Sequence, residues 1–192
     1  FYGPIPIPTL EDLKNPLDEV IEPRATQEEM TNFIETELTE SLKGLPTRTT
    51  QFGRFDKGLA YTILMKYYMH EKNWAKAEEC GRELLKAEYG YGLMDRYADI
   101  FTLENEGNKE IIFACTEERG TNLQLWHDHA LPGNYPTKNA SIQKWDGYKV
   151  PWPFYRTFEE GDDRLSVLVG EYVGTDGVLF NEESDIAKHG NL

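Results

Sequence analysis

Between Gly53 and Lys86 the apolar residues recur at helical spacing on either side of a short polar run. The spacing predicts two antiparallel helices joined by a turn at His70–Asn73. The first helix has one apolar face formed by Leu59, Ala60, Ile63, Leu64 and Tyr67, and a second formed by Tyr61, Met65 and Tyr68. The second helix has one buried face, formed by Trp74, Ala77, Cys80, Gly81, Leu84 and Leu85. We therefore expect a helical hairpin whose first helix is covered on two sides.

The order of large and small residues in this hairpin follows the tetratricopeptide pattern, whose unit is about 34 residues. The matching positions are Tyr61, Leu64, Tyr68, Trp74 and Ala77. The pattern departs from the repeat at Met65, where a small residue is usual, and no proline closes the unit. An ordinary amphipathic hairpin is the alternative interpretation. Under either one, Trp74 is predicted to be buried between the two helices.

A further helix is predicted ahead of the hairpin. Thr26 and Glu29 have the spacing of a capping box, and Gly44 followed by Pro46 is a typical helix end. Its buried face is predicted to consist of Met30, Phe33, Ile34, Leu38 and Leu42. The five prolines of residues 1–24 favour an extended segment before it. Because this helix has no evident partner earlier in the sequence, we expect its partner to precede Phe1.

After the hairpin the pattern weakens. Residues 93–101 predict one short helix with a connector, and Glu110–Thr116 predicts a short buried strand that contains Cys115. A second short helix is expected after Pro151. A β-hairpin is expected to turn at Gly174–Gly177 between residues 165–173 and 178–180. Together the elements predict a mainly α-helical fold with tetratricopeptide-like hairpins, a loop-rich part and small β-hairpins.

The stretch from Glu117 to Val150 has no periodicity but is rich in large aromatic residues. Disordered segments are poor in aromatics, so a functional loop is favoured. Exposed Trp and Tyr rings flanked by amides and carboxylates are typical of glycan-binding sites, because sugar rings present apolar C–H faces. The candidate ligand-binding residues are Trp126, Tyr135, Trp145 and Tyr148. The alternative is that each ring merely anchors the loop to the scaffold.

Composition narrows the classes of partner. The chain of 192 residues carries 34 Asp and Glu against 20 Lys and Arg, a net charge of −14. This charge repels phosphate backbones and anionic membrane surfaces, so nucleic acid is not an expected partner. No apolar run is long enough to span a bilayer. The two cysteines, Cys80 and Cys115, are predicted to be separate buried thiols.

The sequence gives little support for catalysis or for a cofactor. His127 and His129 with Asp128 between them could supply metal ligands, but a third His or Cys nearby is missing, so no metal is predicted. The Gly-Tyr-Gly at residues 90–92 lacks the strand and lysine of a phosphate-binding loop. Carboxylate pairs suitable for glycosidase chemistry arise by chance in so acidic a chain. A non-enzymatic binding protein is therefore the favoured interpretation.

Several short signatures stand in a definite order along the chain. They are Tyr2–Ile7, Gly53–Arg54, the hairpin with Trp74 and Ala77, Tyr97–Phe101, Asn108–Phe113, Trp145–Gly147 and Phe158–Arg164. In this order they resemble the SusD/RagB family of outer-membrane nutrient-binding proteins from Bacteroidetes. One departure is Asp163, because many members have proline between the Asp and Arg of this block.

The resemblance implies a lipid-anchored protein on the extracellular face of the outer membrane. It would act in polysaccharide utilisation, capturing oligo- or polysaccharide for a SusC-like TonB-dependent transporter. Residues 1–192 would form part of a single SusD-like domain with a superhelical scaffold. Residues 1–25 would be its extended proline-rich segment, 26–101 its helical-repeat part and 102–192 its loop-rich variable part. The family is longer than this chain, so we expect further portions, including the lipid-bearing Cys, outside it.

Two other functions remain open from sequence. A tetratricopeptide-like scaffold for a protein or peptide would use the aromatic residues for packing, without a glycan ligand. A glycoside hydrolase, or a domain accessory to one, would release product from polysaccharide.

Overall fold

The structure is a computed structural model of the chain, and it describes residues 3–14, 23–117, 125–138 and 142–190. The described residues contain seven α-helices: α1 (Leu10–Lys14), α2 (Gln27–Gly44), α3 (Lys57–His70), α4 (Trp74–Leu84), α5 (Trp126–Ala130), α6 (Trp152–Tyr155) and α7 (Glu182–His189). Four short 3-10 helices lie at Ala87–Tyr89, Tyr97–Phe101, Leu103–Asn105 and Asp163–Val167. The sheet has two antiparallel strands, β1 (Tyr172–Val173) and β2 (Leu179–Phe180). The predicted mainly α fold is confirmed.

The chain divides into two compact units. The first comprises Phe1–Gly92 with Ile111–Ala114, and the second comprises Leu93–Glu110 with Cys115–Leu192. The three-part division of a single domain that the family resemblance implies stays a prediction. No helix of the described residues is long and apolar enough to cross a membrane.

Helix α2 begins and ends where its sequence predicts. The Thr26 hydroxyl accepts the N–H of Glu29 at 3.2 Å, and the Glu29 carboxylate accepts the N–H of Thr26 at 2.7 Å. These two bonds satisfy donors that the first helical turn leaves without partners. Leu38 and Leu42, on the predicted apolar face, pack against the core of the first unit, whereas Phe33 on the same face is 43% exposed.

The predicted hairpin is formed by α3 and α4. Asp56, buried at the start of α3, accepts the N–H of Leu59, and Asn73 does the same for Lys76 at the start of α4. Lys72 closes the turn between the helices with a φ of 58°. The core consists of Leu64, Tyr68, Ala77 and Cys80, with Tyr61, Met65 and Tyr67 packed around it.

The prediction that Trp74 is buried between the helices is wrong. Its side chain is 62% exposed, and Leu85 at the other end of α4 is 81% exposed. The buried stripe of α4 runs through Ala77, Cys80 and Leu84. With about 100° of rotation per residue, Trp74 and Leu85 both lie roughly 90–110° from its middle. Lys76 occupies the flank instead: its ammonium pairs with Glu35 of α2 at 3.0 Å.

The predicted strand at residues 110–116 does not form. The segment is irregular, and it pairs with no strand among the described residues. Its aromatic side chain is used for packing instead, with the Phe113 ring 5.6 Å from that of Phe55. Cys80 is buried as predicted, but Cys115 is exposed, which corrects the expectation of two buried thiols.

The short helix predicted at residues 93–101 of the second unit is only the 3-10 helix Tyr97–Phe101. This turn is bound by the Asp-Asp-Arg block, residues 162–164. Asp163 accepts the N–H of Tyr97 at 2.6 Å. Asp162 binds the Arg164 guanidinium within its own loop, and this bond lowers the pKa of Asp162 to about 2. The block therefore has a structural role in this chain.

The predicted β-hairpin forms around Gly174–Gly177, but its strands are shorter than predicted: β1 covers only Tyr172–Val173, and residues 163–167 form a 3-10 helix instead. Tyr172 faces Phe180 and Val173 faces Leu179 across the strands, and Gly177 adopts a φ of 75° in the turn. Helix α7 follows directly and was not predicted from sequence. Asn181 and Ser184 cap it reciprocally, and Asp185 accepts the indole N–H of Trp152 in α6 at 2.8 Å.

Candidate ligand-binding site

The segment Trp145–Tyr148 is fastened to the C-terminal end of α5 by its backbone. The last carbonyls of a helix have no partner within the helix, so they are free to accept bonds from another segment. Three such bonds form, Trp145 N to Asp128 O (2.6 Å), Gly147 N to His129 O (2.7 Å) and Tyr148 N to His129 O (2.9 Å), and a fourth joins Asp146 N to the carbonyl oxygen of Leu131, directly after the helix (3.1 Å). The site is thus built on hydrogen-bonded backbone although it belongs to an irregular part of the chain.

Two residues make this close approach sterically feasible. Asp146 has a φ of 56°, a left-handed conformation that Asp and Asn tolerate better than most residues. A Cβ atom at Gly147 would lie 3.3 Å from the carbonyl oxygen of His129, which is tighter than ordinary contact. Glycine at 147 therefore lets the segment reach His129.

His129 is the centre around which the aromatic side chains gather. The His129 ring lies edge-to-face with Trp145, at 4.8 Å between centroids and 75° between planes. It also contacts the Tyr148 ring, at 5.3 Å and 52°. Tyr148 in turn stacks on Trp126, at 5.0 Å and 18°. Such ring pairs contribute about 0.5–1.5 kcal/mol each beyond the area they bury, so they hold one another in place.

We call the side chains of Trp126, Trp145, Tyr148 and His129 the aromatic platform. Its three large rings remain open to solvent: Trp126 is 56% exposed, Tyr148 54% and Trp145 48%. Each ring packs against the protein on one side and is exposed to solvent on the other. It can therefore accept an apolar ligand surface without rearrangement, which lowers the free-energy cost of ordering side chains on binding.

The charged groups beside the platform have partners within the protein. The ammonium of Lys149 lies 3.0 Å from the carboxylate of Asp146. The ammonium of Lys144 donates to the carbonyl oxygen of Tyr135 at 2.7 Å. Asp128, within α5, is buried at 9% exposure.

Tyr135, the fourth predicted ligand-binding residue, packs in a different cluster. It is half-buried, and its ring lies edge-on to Tyr172 at 5.0 Å. Tyr172 stacks on Phe180 at 4.9 Å and donates its hydroxyl to Asn134 at 2.8 Å. Burial is the main cause that raises the pKa of Tyr172. The structure thus brings together Trp126, Trp145 and Tyr148 and leaves Tyr135 apart from them.

The sequence did not indicate that His129 would be the centre of the platform. From sequence, His129 is a polar neighbour of Trp126 and a possible metal ligand together with His127, whose side chain lies outside the described residues. The useful signal was the spacing of Trp126 and His129, which are three residues apart and so share a helix face. Among the described residues no group of three or more His, Cys, Asp or Glu side chains could hold a metal ion. Residues 118–124 and 139–141 of the predicted loop also lie outside the described part.

Comparisons with known proteins concern the fold. No protein-family model and no curated protein matches the chain. A solved structure of a SusD-like protein from Bacteroides fragilis NCTC 9343 matches 84% of this chain with a TM-score of 0.65 and 23% identity. The chain is SusD-like in fold.

A SusD superfamily protein from Bacteroides vulgatus ATCC 8482 is also similar, with 25% identity and a TM-score of 0.50 over 66% of this chain. The SusD-like chain spans 32% of the length of the first neighbour and 25% of the second. The sequence-based assignment to SusD-like proteins is therefore confirmed through the fold.

Proposed function

We propose that this SusD-like chain is part of a surface nutrient-binding protein that captures glycan on its aromatic platform. The observation that carries the proposal is the half-exposed set of Trp126, Trp145 and Tyr148, held around His129. The axial C–H bonds of a pyranose form an apolar face that matches an exposed indole or phenol ring. Stacking this face on a fixed ring removes apolar area from water at about 25 cal/mol per Å².

The wider role follows from the likeness to SusD-like proteins. We propose that the protein is lipid-anchored at the extracellular face of the outer membrane and passes its ligand to a SusC-like TonB-dependent transporter. Its part in nutrient uptake would be non-enzymatic, without a cofactor. The similarity in fold to two Bacteroides proteins supports this role, and the platform supports the capture step.

The first prediction concerns the rings themselves. In the full-length protein, Trp126→Ala and Trp145→Ala should each weaken glycan binding by about 1–2 kcal/mol, which is roughly a five- to thirtyfold rise in Kd. Each should change the melting temperature little, because half-exposed rings contribute less to folding than core side chains. Calorimetric titration with the oligosaccharide that binds best on a glycan array measures the first effect, and a thermal melt measures the second.

Trp74→Ala is the matched control, because it removes an indole of similar exposure from the helical hairpin. It should leave both glycan affinity and stability nearly unchanged. If the platform variants bind like the parent, the platform is not the glycan site, and a tetratricopeptide-like scaffold for a protein or peptide becomes the better account. Release of sugar product by the parent would instead indicate a hydrolase.

For Tyr135, which stays a predicted ligand contact, replacement by Ala should lower stability more than affinity, since its ring packs on Tyr172.

A further inference from the structure

The charges around the aromatic platform bear on the class of sugar that it accepts. Recognition of a carboxylate or sulfate ester by a protein relies on cationic side chains that are available to the ligand, above all on the forked guanidinium of arginine. The described residues of the loop, 125–138 and 142–150, contain no arginine, and Arg119 of the same loop lies outside the described part. Their lysines are Lys138, Lys144 and Lys149.

The two lysines nearest to the platform rings in sequence are already engaged. Lys149, which follows Tyr148, pairs with Asp146 at 3.0 Å. Lys144, which precedes Trp145, donates to the carbonyl oxygen of Tyr135 at 2.7 Å. Lys138 lies three residues after Tyr135, whose ring belongs to the separate Tyr172 cluster. An anionic sugar would therefore have to break an existing contact to gain the ammonium of Lys144 or Lys149.

The charge of the whole chain acts in the same direction. A net charge of −14 slows the approach of an anionic ligand and favours a neutral one, although salt screens this effect beyond about 8 Å at physiological ionic strength.

We infer that the ligand of the platform is a neutral glycan and that the Asp146–Lys149 pair lowers its affinity for uronate-containing or sulfated sugars. The inference rests on the proposed function and adds a charge class to it. Asp146 is then a specificity-determining residue: its carboxylate neutralises the ammonium that an anionic sugar would otherwise use.

The test compares matched ligands on the full-length protein. Each neutral oligosaccharide of an array is paired with its own C6-oxidised uronate, so that only the charge differs. Affinities of both members of a pair are measured in the same buffer, at the same pH and ionic strength. The parent should bind the neutral member at least about fivefold more tightly. Trp126→Ala should weaken that binding, which locates it at the platform.

Asp146→Asn provides a gain of affinity that a merely structural role would not produce. Asparagine tolerates the left-handed φ of this position, so the backbone should be retained. The substitution removes the carboxylate that pairs with the Lys149 ammonium. It should raise the affinity for the uronate about two- to fivefold and leave the affinity for the neutral oligosaccharide almost unchanged. Glu78→Gln, on the exposed face of α4, changes the net charge equally and should alter neither affinity.

The outcomes separate the inference from the function on which it rests. Preference for neutral members, with a uronate gain only in Asp146→Asn, supports it. Equal or tighter uronate binding by the parent, still lost in Trp126→Ala, overturns the neutral-ligand inference and leaves glycan binding intact. If the protein binds neither the neutral nor the uronate member of any pair, both the neutral-ligand inference and the proposed glycan binding are wrong.

Discussion

At the scale of single residues, the geometry of the aromatic platform depends on residues, such as Gly147, whose roles cannot be read from their amino-acid type alone. That Trp126, Trp145 and Tyr148 contact a ligand stays a prediction; the sequence indicated them because large aromatic residues in an aperiodic, amide-rich stretch are typical of a binding loop. Gly147 lets the backbone come close to the His129 carbonyl, because a Cβ atom there would lie 3.3 Å from that oxygen. That role depends on a contact between residues far apart in sequence, which composition does not reveal.

A prediction at this scale concerns Gly147→Ala. The added methyl group would press on a backbone oxygen at 3.3 Å, so the segment that carries Trp145 and Tyr148 must shift. We expect a loss of about 1 kcal/mol in the free energy of unfolding and a several-fold weaker glycan affinity. Denaturant unfolding and calorimetric titration of the full-length protein measure the two effects.

Gly133→Ala serves as its control, since no atom lies within 4 Å of a Cβ at that position. It should change stability by less than about 0.5 kcal/mol. Equal effects of the two substitutions would show that the close approach at Gly147 does not organise the platform.

At the scale of elements, the sequence predicted correctly those elements whose stabilising contacts are made between residues close together in the chain. The caps of α2, the hairpin of α3 and α4, and the β-turn at Gly174–Gly177 all follow from signals within a few residues.

The prediction of a strand at residues 110–116 was wrong because β propensity says nothing about whether a partner strand is available. Trp74 was misplaced because it lies at the flank of its helix, where packing against α2 is made by Lys76. Helix α7 was missed because its acidic sequence has a weak apolar face and is held by Trp152 from another element.

A prediction at this scale concerns the contact between α6 and α7. The indole N–H of Trp152 is the main cause that lowers the pKa of Asp185; burial opposes the shift, and His189 at 2.9 Å reinforces it. Because the carboxylate is favoured in the folded state, it contributes stability above its unfolded pKa of about 3.9. That contribution is lost as the pH falls from about 4 through the lowered pKa.

Asp185→Asn should therefore cost about 1 kcal/mol at pH 7, since it weakens a hydrogen bond to a charged acceptor. It should also flatten the dependence of stability on pH below about 4. Chemical denaturation of parent and variant across this pH range measures both effects. A variant whose stability falls as steeply in acid as that of the parent would show that the Trp152–Asp185 bond is not the source.

At the scale of the whole molecule, the fold could be assigned from sequence because the order of many weak signatures is more specific than any one of them. The likeness to solved SusD-like structures confirms that assignment. A fold does not specify a ligand, so the function has to be argued from the site. The platform and the charges beside it supply that argument, and both depend on contacts between α5 and a segment fifteen or more residues later in the chain.

The most direct test of the central claim is a crystal structure of the full-length protein with its best-binding neutral oligosaccharide. The account predicts a pyranose ring stacked on the exposed face of Trp126, Trp145 or Tyr148, about 4 Å from it, with the His129 ring still in contact with those of Trp145 and Tyr148. A glycan bound elsewhere, with these three rings still open to solvent, would contradict it.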